Sequence, residues 1–307
     1  MNTRRQFLKT ASSAMLLPLV WKQTKEARLP LAFSTLGCPQ WEWKKILDFA
    51  ASHGFAGIEL RGLEGNLNLP SHPVFEADRM EQTKQEIRSR NLKIVCVSSS
   101  ANLYITDAEK RTKELGDARR FIDLAADLGS PCVRVFGGKD EYDKSPVPDA
   151  ATKARVAAGL RELGKYAGPR NVTVILESHD HFTSSATLKD VLSQTDSENV
   201  GLLWDAYHTF ADGQEDPEFT VGQLGKWIRH THLKDSADNK ENYVLTGRGT
   251  VPIERQISAL RAIGYKGFFC FEWEKLWHPD LADPDIAIAD FAHIVGDCSG
   301  NARACGL

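Results

Sequence analysis

Four short apolar runs, each typical of a buried β-strand, carry a potential metal-binding side chain at or near their ends: Glu177, Asp205, His232 and Glu272. A carboxylate at the end of a buried strand is unfavourable unless a positively charged group meets it. Three carboxylates and one imidazole that converge would bind a divalent cation through oxygen and nitrogen ligands. We therefore predict that these four residues bind one metal ion.

Oxygen-rich ligation favours Mn²⁺ or Mg²⁺ at this site, with Co²⁺ or Zn²⁺ as alternatives. Such a cation keeps open positions for two substrate oxygens and polarises a carbonyl group. Glu177 and Glu272 would approach the substrate from opposite sides. One would remove the proton next to the carbonyl, and the other would return a proton to the opposite face. The pattern therefore predicts an isomerase or epimerase that works through a metal-stabilised enediolate.

The same enediolate supports a second outcome, because it can expel a leaving group from the β carbon. A 3-keto-glycoside would then undergo 1,2-elimination, and the protein would be a lyase or hydratase with the same metal site. Glu177 and Glu272 are the predicted catalytic residues. A purely structural role also stays open for each of them, since a buried carboxylate can pair with a barrel arginine such as Arg134.

Five more polar residues near strand ends are candidates for substrate binding: His208, Glu59, His179, Lys234 and Arg248. His208 follows a predicted strand end at a turn, which favours contact with substrate over a place in the core. Glu59 closes the second predicted strand, where it either binds a substrate hydroxyl or pairs with Arg61 or Lys93.

The other candidates have equally plain alternatives. His179 lies in a polar loop, where substrate contact and simple surface exposure are both open. Lys234 and Arg248 either bind substrate oxygens or are solvated. His230 lies two residues before His232, so a regular strand points both rings to the same face. Only one of the two is needed as a ligand, and the other would lie one layer deeper in the barrel.

Eight short apolar segments read as strands: 31–35, 57–60, 93–98, 132–136, 173–177, 200–205, 228–233 and 268–271. Most of them are short apolar runs that do not alternate, as expected of parallel strands buried on both faces, and 228–233 is the most polar of them. Between them lie eight segments with helical character: 41–53, 74–90, 108–128, 149–167, 188–194, 221–226, 252–263 and 283–295. Eight strands that alternate with eight helices predict an α/β fold, the (β/α)8 TIM barrel.

Six sequence pieces, each at or just after a predicted strand end, carry a family likeness. They are Gly-Ile-Glu-Leu at 57–60, Ile-Leu-Glu-Ser-His at 175–179, Asp-Ala-Tyr-His at 205–208, His-Thr-His-Leu-Lys-Asp at 230–235, Gly-Arg-Gly-Thr-Val-Pro at 247–252 and Phe-Glu-Trp-Glu at 271–274. From about Leu29 to Val295 the chain resembles the sugar phosphate isomerase/epimerase group of the xylose isomerase-like TIM barrel superfamily, and within it the ketose 3-epimerases.

This resemblance implies a carbohydrate substrate and the same four metal ligands. It also implies that His208 contacts substrate oxygens. The chain departs from the epimerase pattern at one position. Ketose 3-epimerases carry an arginine six residues after the ligand histidine, whereas this chain has Asp238 there. Arg248, in the loop that follows, is the alternative source of positive charge.

Composition argues against a nucleic-acid enzyme. The chain has 307 residues, 42% of them hydrophobic, and a net charge of −3, whereas nucleic-acid binders usually have a basic excess. Abasic-site endonucleases share the barrel, but they carry extra histidines on the second and third strands. Those strands here end Glu-Leu-Arg-Gly and Ser-Ser-Ser-Ala. We expect a small carbohydrate as the partner, no stable membrane span, and a homo-oligomer as an open alternative to a monomer.

The N-terminus has the pattern of an export leader. Residues 2–9 contain paired arginines followed by Gln-Phe-Leu-Lys, and 11–21 form a short apolar stretch. We predict a twin-arginine leader at 1–28, a barrel at 29–297 and a tail at 298–307, with the mature protein in the periplasm. An uncleaved leader would leave it tethered to the membrane, and a retained amphipathic helix is the other alternative. Cys298 and Cys305 either pair or stay free.

Overall fold

Eight parallel strands close into a barrel in the computed structural model, which describes residues 28–138, 147–238 and 240–296. Strands β1 to β7 are Leu31–Ser34, Gly57–Leu60, Lys93–Asn102, Cys132–Phe136, Thr173–Glu177, Val200–Asp205 and Ile228–Leu233, and the eighth barrel strand, β10, is Phe269–Phe271. Their order around the barrel is β1-β10-β7-β6-β5-β4-β3-β2. The predicted TIM barrel is confirmed. Almost all of the predicted leader, the whole predicted tail, Cys298 and Cys305 lie outside the described residues.

Helices follow the strands around the outside of the barrel. Helices α1 to α9 are Trp43–Ser52, Met80–Arg88, Ala108–Leu128, Ala150–Ala167, Ser185–Ser193, Ala206–Ala211, Pro217–Leu224, Ile253–Ala262 and Pro284–Gly296. The helix predicted at 74–90 is shorter, because its first residues form a 3₁₀ turn, Pro73–Phe75, before α2. In the described part of the chain, no helix has the length and apolar character needed to cross a bilayer.

Two elements were not predicted from the sequence. Helix α6 begins directly after β6, and its six residues are too few to show a helical period. A small antiparallel ribbon, formed by β8 (Asp235–Ser236) and β9 (Tyr243–Val244), follows β7. Both elements lie at the ends of candidate site strands, so they shape the mouth of the barrel.

Glycines end three helices, as the sequence predicts. Gly54, Gly129 and Gly264 follow α1, α3 and α8 with φ values of 76°, 70° and 72°. This left-handed conformation costs glycine little and strains other residues. Each glycine therefore turns the chain from a helix back into the next strand.

The inside of the barrel changes from apolar to charged along the strands. Its apolar part includes a cluster of Cys96, Cys132, Ile175 and Leu203. Because alternate residues of a strand face the same side, the next inward positions on three of these strands are Arg134, Glu177 and Asp205. The charged layer therefore lies toward the C-terminal ends of the strands, the face on which TIM barrels carry their active sites.

Candidate functional site

The structure brings the four predicted metal ligands together. One ligand atom from each of Glu177, Asp205, His232 and Glu272 lies within 4.8 Å of the other three, and all four residues are buried. Nδ1 of His232 lies 3.3 Å from Oε1 of Glu177, 3.1 Å from Oε1 of Glu272 and 3.7 Å from Oδ2 of Asp205. An imidazole nitrogen with three surrounding carboxylates is the arrangement that the sequence predicts.

Glu59 fixes the orientation of the His232 ring. Its Oε2 lies 2.8 Å from Nε2 of His232 and 2.7 Å from Nε2 of His230, and Ser34 donates a hydrogen bond to Oε1. Burial would raise the pKa of Glu59, but the two histidines outweigh burial and lower it well below its usual value. Because an ionised carboxylate only accepts hydrogen bonds, Nε2 of His232 carries a proton, and Nδ1 faces the other carboxylates and is the nitrogen that would bind a metal ion.

This position corrects the prediction for Glu59. The side chain is fully buried and its contacts are to histidines and to Ser34, so it does not offer its oxygens to a substrate. It does not pair with Lys93 or Arg61 as its principal contact either. The prediction for His230 holds: its ring is buried next to His232, at a centroid distance of 5.7 Å, and shares the Glu59 oxygen.

Lys234 is buried and paired, not solvated. Its Nζ lies 2.7 Å from Asp205, 2.5 Å from Glu272 and 2.8 Å from Glu274, and only 1% of the side chain is exposed. Burial would lower its pKa, but the surrounding carboxylates raise it well above the usual value. Lys234 therefore holds two of the candidate ligands in place, and its predicted contact with substrate would require it to exchange one of these partners.

A second buried cation holds Glu177. Nε of Arg134 lies 3.1 Å from Oε2 of Glu177, and the guanidinium stacks over Phe136 at 3.9 Å. Burial alone would raise the pKa of Glu177, but the charge of Arg134 and the contact with His232 lower it to about 2. The structural pairing considered as an alternative for Glu177 is thus present, together with the predicted convergence of ligands.

Arg61 is a site residue that the sequence interpretation passed over. It is buried, and its Nη1 has no hydrogen-bond partner among the described residues. Burial and the charge of Arg134 lower its pKa, while Glu177 and Glu272 act in the opposite direction, which places Arg61 within electrostatic reach of both glutamates. The signal was present in the sequence, because Arg61 directly follows β2 and comes two residues after Glu59, at the strand end that faces the site.

The buried charges at the site do not balance without a further cation. Four buried carboxylates belong to Glu59, Glu177, Asp205 and Glu272, and three buried cationic groups belong to Arg61, Arg134 and Lys234, while Glu274, 13% exposed, adds a fifth carboxylate beside Lys234. With His232 neutral, as a metal ligand must be, the carboxylates of this group outnumber its cations. Unbalanced buried charge is costly. The donor set therefore fits a divalent cation.

The surroundings of His232 lead to the same conclusion. Its Nδ1 is buried and has no hydrogen-bond partner within the described ranges, and the Glu177 carboxylate beside it forms an ion pair with Arg134. Burial would lower the pKa of His232, but the charges of Glu272 and Glu59 raise it well above its usual value. The negative electrostatic potential that favours a proton on this ring also favours binding of a metal ion. Glu177, Asp205, His232 and Glu272 are the residues that would bind it.

Helix α6 places His208 beside the ligands. Oδ1 of Asp205 accepts hydrogen bonds from the backbone N–H groups of Tyr207 and His208, so the same carboxylate that faces His232 also caps the helix. Nδ1 of His208 lies 2.8 Å from Asp212, while its Nε2 is buried without a hydrogen-bond partner in the described part of the protein. An unpaired imidazole nitrogen next to Asp205 is well placed to meet a substrate hydroxyl.

His179 lies against His208, with the two ring centroids 4.5 Å apart. A third of its side chain is exposed, and Nδ1 lies 3.2 Å from a carboxylate oxygen of Asp180. Burial would lower the pKa of His179, but Asp180 and the charge of Glu177 raise it to about 9. The ring is therefore protonated at neutral pH and carries a proton at the edge of the site.

Arg248 is not part of the cluster. Its side chain is 64% exposed and lies 3.7 Å from Asp290. The expectation that Arg248 supplies positive charge at the metal ligands therefore does not fit its position. The buried Arg61, whose Nη1 has no hydrogen-bond partner among the described residues, fits that role better.

Comparisons with known proteins agree with this geometry. Residues 47–294 match the family model described as xylose isomerase-like TIM barrel. The chain is 26% identical over 229 residues to an inosose dehydratase of Bacillus cereus (strain AH820), which covers 66% of this chain and 75% of that protein.

Two solved structures have the same fold. One is the IOLI protein with a binding zinc atom, with a TM-score of 0.73 and 20% identity over 89% of this chain and 100% of that one. The other is the 3-keto-D-glucoside 4-epimerase YcjR from E. coli, in its apo form, with a TM-score of 0.71 and 18% identity over 88% and 100%. At these identities the likeness is one of fold.

Proposed function

The chain belongs to the xylose isomerase-like TIM barrel family, and we propose that it is a metal-dependent isomerase or epimerase of a sugar or cyclic polyol. The observation that supports this best is the placement of Glu177 and Glu272 around Nδ1 of His232, at 3.3 and 3.1 Å. Two ionised carboxylates at one cation site are what proton removal on one face and proton return on the other require.

A divalent cation held by Glu177, Asp205, His232 and Glu272 would polarise a substrate carbonyl and so acidify the neighbouring C–H bond. The two glutamates are both ionised at neutral pH, since the pKa of each is lowered to about 2. Glu177 ends β5 and Glu272 directly follows β10, and because β6 and β7 separate these strands in the barrel, the two glutamates reach the substrate from different sides. Either carboxylate can accept the proton. Epimerisation then requires the other glutamate to gain a proton, from solvent or from the first glutamate, before it protonates the opposite face, whereas return by the first glutamate to the neighbouring carbon gives isomerisation.

We assign to Arg61 the role of stabilising the negative charge that develops on the substrate oxygen. Its unpaired Nη1 is a ready donor, and its burial strengthens an electrostatic contact relative to one in water. His208 completes substrate binding through its unpaired Nε2. A bound substrate oxygen would give each of these two buried atoms a hydrogen-bond partner, which is favourable because a buried polar atom without a partner costs free energy.

Elimination is the second candidate, and His179 is the observation that favours it. After a glutamate removes the proton next to the ketone, the bond from the β carbon to its oxygen breaks. That oxygen takes a proton from His179, and the products are an unsaturated ketone and water or an alcohol. The pKa of about 9 keeps His179 protonated until then. The inosose dehydratase relative supports this candidate.

Proton NMR in D₂O separates the candidates. The protein, loaded with Mn²⁺, Mg²⁺, Co²⁺ or Zn²⁺ in turn, would be given free ketoses, inososes and 3-keto-glycosides. Deuterium next to the carbonyl together with a new epimer or isomer supports the first proposal. Loss of water or of an alcohol, with a new vinyl signal, supports elimination. No exchange with any of these compounds and any of the four metals would sink both.

We also propose that residues 1–28 are a twin-arginine leader and that the mature protein lies in the periplasm. The support is the sequence pattern alone. Replacement of Arg4 and Arg5 by lysines should leave the full-length protein inside the cytoplasm. Unchanged export of that variant would contradict the proposal.

A further inference from the structure

A second cavity opens beside the metal ligands, and the mechanism above makes no use of it. Its volume is about 680 Å³, and it is lined by β9 with its flanking residues and by the segment after β10. Three of the lining side chains are large aromatics: Tyr243, Trp273 and Trp277. We propose that this cavity binds the second sugar ring of a glycoside whose first ring reacts at the metal ligands, an inference that rests on the proposed function.

Two contacts join the cavity to the metal ligands. The ring of Tyr243 lies 5.6 Å from Nζ of Lys234, which itself contacts Asp205 and Glu272. Glu274 lies 2.8 Å from the same Nζ, and its other oxygen lies 3.8 Å from His278, which lines the cavity. One layer of side chains therefore lies between the cavity and two candidate ligands. A glycoside that reaches over this layer would place one ring on each side of it.

The lining suits a sugar ring in particular. A pyranose has an apolar C–H face that packs on an aromatic side chain, and hydroxyl groups around its edge. Trp277 is 50% exposed, a large aromatic surface that stays open at the mouth. Polar side chains surround it on the cavity wall: Glu241, Asn242, His278 and Asp280. Pockets for small ligands combine apolar walls with a few polar groups in this way, and 680 Å³ is ample for one ring.

An unpaired group on the wall supports binding of a polar ligand. Oη of Tyr243 is buried and has no hydrogen-bond partner among the described residues. A buried hydroxyl without a partner is unfavourable, and a sugar hydroxyl would satisfy it. The exposed guanidinium of Arg248 also lines the cavity. This gives Arg248 a place in substrate binding that is distant from the reacting atoms.

The test is a binding measurement that does not depend on turnover. Titration calorimetry would compare a β-linked glucose disaccharide, a phenyl β-glucoside and methyl β-glucoside as probes. In the unsubstituted protein we expect the disaccharide to bind at least tenfold more tightly than methyl glucoside. Trp277→Ala should remove that tenfold advantage and leave methyl glucoside unchanged, while Trp277→Phe should keep most of it.

Phe219→Ala is the matched control, since Phe219 is a similarly exposed aromatic that does not line the cavity. Equal affinities for disaccharide and methyl glucoside, or an advantage that survives Trp277→Ala, would overturn the inference. A preference for the phenyl glucoside over the disaccharide would also overturn it, in favour of an aromatic occupant. If a Trp277-dependent preference is found but none of the substrates above reacts, the cavity assignment stands and the proposed chemistry fails.

Discussion

Glu177 and Glu272 have equivalent surroundings on two sides of one imidazole. Each turns Oε1 to Nδ1 of His232, at 3.3 and 3.1 Å. Each turns Oε2 to a buried cation, Arg134 at 3.1 Å for the first and Lys234 at 2.5 Å for the second. The pKa of each carboxyl group is lowered to the same value, about 2. This equivalence is what a reaction that runs in both directions requires of its two bases.

Replacement of one glutamate should stop the reaction without unfolding the barrel. In Glu177→Gln the amide keeps the size of the side chain and can still accept a hydrogen bond from Arg134. The proton acceptor is lost, so we expect turnover to fall by about 10² to 10⁴. The measurement is deuterium incorporation next to the carbonyl, with circular dichroism to check the fold. Glu162→Gln, at an exposed ion pair with Arg119, is the control that should retain full activity.

Metal binding should stabilise the fold measurably. A cation that binds only the folded protein adds about 2.7 kcal/mol at a concentration of 100 times its Kd. We expect Mn²⁺ or Zn²⁺ to raise Tm, and a chelator to reverse the rise. Asp205→Asn should abolish the rise, because it removes one negative ligand and keeps the helix cap on α6, which asparagine also provides.

Asp190→Asn is the matched control for that experiment. Asp190 is exposed on α5 and pairs with Lys153 on α4, and neither residue is a candidate ligand. Its variant should show the full metal-dependent rise in Tm. A rise of equal size in Asp205→Asn would mean that the cation binds elsewhere.

Replacement of Glu59 should weaken metal binding and leave substrate affinity unchanged. Glu59→Gln replaces the acceptor that fixes the proton of His232 on Nε2, so the ring loses its preferred orientation. Loss of such a partner typically weakens metal binding by about 10- to 100-fold. Metal titration by calorimetry measures this. If metal affinity is unchanged and only KM rises, Glu59 contacts the substrate after all, as the sequence alone suggests.

The sequence predicts the barrel well, because most strands are short apolar runs and helices such as α1 have one apolar face. In α1 the four buried residues have the spacing that the sequence shows: Trp43, Ile46, Leu47 and Ala50. Strand alternation also gives the inward face of β7, with His230 and His232 on the same side. The elements that the sequence does not reveal are the short ones, α6 and the β8–β9 ribbon, because two to six residues carry no measurable period.

Contacts between strands are less predictable than the strands themselves. Lys234 lies on the expected face, but its three carboxylate partners come from β6 and from the segment that begins with Glu272. No local pattern encodes those distances. Arg248 was assigned to the site because it follows the ligand histidine in the chain, yet its loop carries it to the surface. The position of a residue in the sequence predicts which face of its strand or helix it occupies. Its contact partners on other strands become evident only in the closed barrel.

Alanine substitutions at two glycines test how the loop that carries Arg248 is held in place. An added Cβ at Gly249 would overlap Oδ1 of Asp235 and the carbonyl oxygen of Ser236. Gly249→Ala should therefore destabilise the protein by about 1–3 kcal/mol, as overpacking does. Gly116, inside α3, has open space around the same position, so Gly116→Ala should stabilise by about 0.5–1 kcal/mol. Urea unfolding of both variants measures the difference.

Substitutions at Arg61 and Arg248 test whether the buried or the exposed arginine supplies positive charge to the reaction. Arg61→Gln should lower kcat/KM by at least tenfold for every substrate, because its unpaired Nη1 lies within electrostatic reach of both glutamates. Since removal of one donor to a developing oxyanion costs about 10² to 10³ in kcat, a much larger share of the loss should fall on kcat than on KM. Arg61→Lys should restore only part of it, because one ammonium cannot reproduce the guanidinium fork.

Arg248→Gln provides the comparison for that variant. Its guanidinium is exposed and pairs with Asp290, so kcat should stay within twofold of the unsubstituted protein. Steady-state kinetics on one small substrate, without a second ring, is the measurement for both variants. A large loss of kcat in Arg248→Gln together with a small one in Arg61→Gln would reverse the assignment. The loop after β9 would then have to close over the site during turnover and bring Arg248 to the reacting oxygen.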